Sequence, residues 1–139
     1  MYQHCREEYK LKTKYGIYFE VNPRELSAAE AEYVKEILSI CKQTGVDIKK
    51  LSMRSYTAML SIFFDCKFLA GIKISGKLNY IVLNLPYEEF NKTYPTEVKA
   101  AASPKSEGDY TRVFTAAPAQ LSEFSNYFRS KRIKKWTTE

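Results

Sequence analysis

The stretch from Ser55 to Leu85, which reads as a three-stranded meander, constrains the fold more than any other part of this chain. Tyr56, Ala58, Leu60, Ile62 and Phe64 share one parity, the mark of a strand with one face on a core. Asp65-Cys66-Lys67 reads as a turn. Phe68, Ala70, Ile72 and Ile74 then fall on one side of a second strand, with Leu69, Gly71 and Lys73 opposite. Ser75-Gly76-Lys77 is the next turn, its glycine suited to a positive φ. The third strand runs from Leu78 to Leu85 and stops at Pro86. Strands joined this tightly are antiparallel. Apolar residues on both parities of the first and third strands imply a sheet covered in parts on both faces.

Other elements flank this meander. Residues 9–21 alternate, with Leu11, Tyr15, Ile17, Phe19 and Val21 against Lys10, Lys12, Lys14, Tyr18 and Glu20, which predicts a strand with one wet face. A helix is expected over Ser27–Thr44. Ser27 and Glu30 make a capping box, and Leu26 can staple onto Ala31. Tyr33, Val34, Ile37, Leu38 and Cys41 form its apolar stripe, and Gly45 supplies a left-handed stop. Tyr87–Tyr94 suggests a short helix broken by Pro95, and residues 95–109 read as a long surface loop. A strand at Asp109–Thr115 puts Tyr110, Arg112 and Phe114 on one side. Pro118 opens a last helix with Leu121, Phe124 and Phe128 as its stripe.

The expected order is β-α-β-β-β-α-β-α, a two-layer α+β sandwich with about five mostly antiparallel strands and helices on one face. With 139 residues, 45% of them hydrophobic, the chain suits one domain over 1–139, residues 1–8 being expected to fray.

Catalytic and cofactor signals are sparse. Cys5, Cys41 and Cys66 are odd in number and show no metal-ligand spacing, which fits a reducing cytoplasm. The one histidine, His4, adjoins Cys5, and that pair alone cannot hold zinc. The five glycines are scattered, with no phosphate-cradling loop, and Glu88-Glu89 has no evident acid–base partner. No apolar run reaches membrane-spanning length, and the polar start carries no signal-peptide core. The expectation is a non-enzymatic cytoplasmic domain with no cofactor and no metal.

The segment from Ser55 to Leu85, with Tyr56, Leu60, Asp65, Phe68, Ala70, Ile72, Lys73 and Tyr80, resembles an uncharacterised small α+β domain of bacteria and phages. The closing Asp109–Phe114 and Leu121–Phe128 look like that domain's final strand and helix. Such domains occur beside restriction- or nuclease-associated proteins. The element order is also similar to MmcQ/YjbR-like double-wing domains, for which the resemblance implies DNA binding. Gly71 stands where that pattern favours a polar residue, and residues 1–26 have no counterpart in it.

Charge supplies the candidate site. Lys and Arg number 22 against 16 acids, a net +6. Arg129, Lys131, Arg132, Lys134 and Lys135 face one acid, Glu139, so +4 of this lies in residues 129–139, beside the only tryptophan, Trp136. Cations with one stacking ring suit a phosphate-tracking segment. Lys10, Lys12 and Lys14 can extend the stripe. A solvated helix end gives the same pattern, since cations complement the helix dipole. The 11 tyrosines suit an interface, and Tyr18, Tyr87, Tyr94 and Tyr110 are hard to bury together. The expected role is nucleic-acid binding. The alternative is a protein-binding inhibitor from a phage or mobile element acting on a host defence nuclease, anti-CRISPR-like, docked on an acidic surface. Pairing of two copies through a strand edge stays open.

Overall fold

The computed structural model describes residues 11–12, 17–21, 24–56, 59–65, 67–74, 79–94, 97–115 and 117–128. They form an α+β sandwich. Its sheet has strands β1 (Leu11–Lys12), β2 (Tyr18–Val21), β3 (Leu51–Ser55), β4 (Leu60–Phe64), β5 (Lys67–Ile74), β6 (Asn79–Leu83), β7 (Ala100–Ala102) and β8 (Thr111–Val113). The spatial order is β1-β2-β3-β4-β5-β6-β8-β7, so β8 inserts between β6 and the edge strand β7. All neighbours are antiparallel except β2 and β3, which run parallel. Helix α1 (Ala28–Thr44) carries the crossover between those two, and α2 (Tyr87–Thr93) precedes β7.

Helix α1 forms as its sequence dictates. Ser27 Oγ accepts from the Glu30 N–H at 3.1 Å, and the Glu30 carboxylate accepts from the Ser27 N–H at 2.9 Å. Gly45 ends the helix at φ 87°, where a side chain would be strained. Tyr33, Val34, Ile37, Leu38, Ile40 and Cys41 are buried. Each such side chain withdrawn from water contributes roughly 2 kcal/mol before entropy. They share one core with Phe90 of α2, with Leu121, Tyr127 and Phe128, and with Met53, Ile62, Ala70, Ile72 and Ile81 of the inner sheet face. The helical segments thus cover one face. The Tyr33 hydroxyl and Thr115 Oγ1, 2.7 Å apart and buried, tie α1 to the end of β8.

The sheet departs from expectation in five places. The alternating run 9–21 is two strands, since Leu11 pairs with Phe19 and Lys12 with Tyr18. Cross-strand partners share a face, so folding back left the alternation intact and hid the reversal. Residues 51–55 form a separate strand, because Ser55 pairs with Leu60 and the Tyr56 N–H donates to the Met59 carbonyl. Tyr56 therefore sits in a turn, 44% exposed, and lies outside β4. Asp65 turns the chain at φ 47°, and Lys67 already pairs with Phe64 as part of β5. The loop 95–109 contains β7, whose three alanines carry no β preference and are held by β8. The last helix, Pro118–Tyr127, is a 3₁₀ helix, whose three-residue period brings Tyr127 into register with Leu121.

The remaining departure in the sheet matters most. Ile62 pairs with Ala70 but Phe63 pairs with Phe68, so Leu69 is an extra residue in β5. This bulge puts Phe68 on the face of Phe63, opposite Ala70 and Ile72. The expectation that Phe68 shares their side fails for that reason. Tyr127 secures the bulge: its hydroxyl donates to the Leu69 carbonyl at 2.6 Å and accepts from the Asn84 N–H at 2.9 Å.

Candidate functional site

The sheet's second face is built by register. Arg54, Ser61, Gly71, Val82 and Arg112 are successive partners in one row across β3, β4, β5, β6 and β8. None of these five belongs to the inner core. Gly71 leaves room there for the Met59 thioether, which lies where a β-carbon would go. On one side of the row, Phe68 meets Phe63 edge-on at 5.8 Å and Tyr110 at 5.0 Å between ring centroids. On the other, Tyr80 meets Phe114 at 5.8 Å, beside Lys73, the register partner of Tyr80. Phe63, Phe68, Tyr110 and Phe114 are half-buried, so each ring keeps part of its surface outward.

Two guanidiniums lie over these rings. The Arg54 Cζ is 4.1 Å from the Phe63 centroid, and the Arg112 Cζ is 4.3 Å from that of Tyr80. Both are within cation–π range. Arg112 is also gripped by Glu107, with Nε to Oε1 at 3.1 Å and a second nitrogen to Oε2 at 3.0 Å. The Glu107 contact holds the Arg112 guanidinium above its ordinary pKa. Burial pushes the Glu107 carboxyl up most strongly, but the Arg112 hydrogen bonds, the Ser103 side chain and the Arg112 charge together hold it below its usual range. Lys99 joins the face, because its carbonyl accepts from the Phe114 N–H and pairs the two residues.

A second concavity, about 170 Å³, opens at the sheet rim between Arg24, Glu30, Tyr56, Met59 and Lys73. Its arginine is already engaged. Arg24 donates to both Glu30 oxygens at 2.8 Å, to Ser55 Oγ at 2.8 Å and to the Glu25 carbonyl at 3.1 Å. The Arg24 hydrogen bonds hold the Glu30 carboxyl below its usual range against the opposing effect of burial. This is a clasp on the α1 cap, and Lys73 is the cation it leaves to the cleft.

Arg129, Lys131, Arg132, Lys134, Lys135, Trp136, Lys10 and Lys14 lie outside the described residues, as does the side chain of Lys12, whose backbone belongs to β1. His4, Cys5 and Cys66 lie outside them too. Burial pushes the Cys41 thiol up to about 12, so it is protonated at neutral pH and packs as an apolar group. Tyr94 is buried at 9% exposure, whereas Tyr110 is half-buried on the outer face. Among the described residues no three metal-ligating side chains cluster, and no helix is long and apolar enough to cross a membrane. Sequence reasoning placed Tyr110, Arg112 and Phe114 together but missed Arg54, Phe63, Phe68 and Lys73. The visible signal was the aromatic count of the meander.

Comparison with protein-family models, curated proteins and solved structures finds no match to this chain.

Proposed function

We propose that this domain is a non-enzymatic binding module for nucleic acid. The observation that carries the reading is the outer sheet face, where Arg54 and Arg112 lie over Phe63 and Tyr80 beside Lys73. Cations such as Lys73 neutralise phosphates and release counterions, while the half-buried rings of Phe68 and Phe114, which no described guanidinium covers, offer surface to bases. The +4 segment 129–139 supplies further phosphate partners from the sequence.

Fluorescence anisotropy with a labelled oligonucleotide over a salt series tests this. Affinity is expected to fall linearly on a log–log plot, and Lys73→Ala to lower the slope by about 1. Charge neutralisation across the segment Arg129–Lys135 is expected to weaken binding further. A flat salt response, or no binding at low salt, refutes the proposal.

A further inference from the structure

We infer that the outer face takes single-stranded nucleic acid, deoxy or ribo, in preference to duplex; this rests on the reading just given. Three features of the face converge on it. The first is ring placement. Phe68 and Phe114 are half-buried and belong to two separate ring clusters on either side of the central row, whose interior residues Ser61, Gly71 and Val82 are buried. Rings bind by stacking, and a base shows its π-face only when it is out of a duplex stack.

The second feature is span. Arg54 and Arg112 sit at β3 and β8, four strand steps apart, so their backbones are separated by about 19 Å. That is a run of several nucleotides, the low end of what one β-rich domain covers, roughly four. The third is shape. At the usual sheet twist of roughly 20–25° per strand, a face of this width is expected to turn through roughly 80–100°. A flexible strand follows such a saddle, whereas duplex, stiff over about 150 base pairs, meets it at one place. The face also carries cations: register places Arg54, Lys73, Lys99 and Arg112 on it, and Glu107 orients Arg112.

The test titrates the full chain against one mixed sequence in three forms: single-stranded DNA, single-stranded RNA and the annealed DNA duplex. A ladder of shorter single strands accompanies them. Either single strand is expected to bind at least about tenfold tighter than the duplex, with affinity collapsing below about four nucleotides. Phe68→Leu and Phe114→Leu keep apolar bulk but remove the ring, and are expected to weaken single-strand binding roughly 5- to 100-fold. The same changes leave residual duplex binding unaltered, and Lys73→Ala weakens both. Urea midpoints within about 1 M of the parent confirm that the leucine variants fold. Duplex binding as tight as single-strand binding, or ring variants without effect, overturns this inference while nucleic-acid binding stands. Failure of all three forms to bind overturns both.

Discussion

Removing one oxygen atom, by Tyr127→Phe, tests how the bulge in β5 is held. Tyr127 is 1% exposed, and its hydroxyl serves the Leu69 carbonyl and the Asn84 N–H at once. The substitution keeps the ring, so packing against Phe128 and Tyr94, at 5.0 and 6.3 Å between centroids, is retained. What is lost is polar satisfaction. Leu69 is fully buried, so its carbonyl forfeits a partner that water cannot replace, at about 1–3 kcal/mol. The Asn84 amide is only partly buried and recovers water, adding about 0.5–1 kcal/mol. The sum is about 1.5–4 kcal/mol, a large share of the stability of an ordinary domain. Urea denaturation followed by circular dichroism is expected to show the midpoint lowered by about 1–2 M at unchanged slope. Tyr87→Phe, at the half-buried start of α2, serves as the control and is expected to stay within about 0.5 kcal/mol. If Tyr127→Phe is no worse than that control, the hydroxyl does not secure the bulge. The outward setting of Phe68 then needs another cause.

Two further outcomes follow from the same geometry. Glu30 and Glu107 both titrate below the ordinary carboxylate value of 4.5 in the folded chain. The stability they lend is therefore complete above that value and is lost as pH falls through their lower folded values. Urea midpoints measured from pH 7 down to pH 3 are expected to drop, and the Glu30→Gln, Glu107→Gln double variant to drop less steeply; identical slopes refute this. Gly71→Ala sets a methyl group against the Met59 thioether and is expected to cost about 1–2 kcal/mol. Met59→Ala relieves the clash, so a double-mutant cycle yields a favourable coupling, and strict additivity of the two changes argues against the contact.

Local chemistry made some elements legible and pair geometry hid others. Helix α1 was readable because its cap, stripe and stop all lie within its own sequence, from Ser27 to Gly45. Tyr110, Arg112 and Phe114 were readable for a similar reason, as a period of two needs no partner. The Leu69 bulge was not, because an extra residue is defined only against β4. β3 was overlooked since Leu-Ser-Met-Arg-Ser is short and half polar, and β7 since alanine marks no strand. The cations adjacent in sequence, Arg129–Lys135, lie outside the described residues. Those of the outer face are scattered along the chain, and only strand order assembles Arg54, Lys73, Lys99 and Arg112 on one surface.

The edge strand β7 decides how the sheet ends. Lys99 and Ser103 spend a backbone group each on β8, so the inward rungs fall at 99, 101 and 103. Ala100 and Ala102 alone turn their amides away from the ladder, and Pro104, which has no N–H, follows at once. A stray extended peptide arriving at this border finds two rungs to grip, too few for templated growth. Brevity thus protects the border, where longer edges rely on repulsive charge.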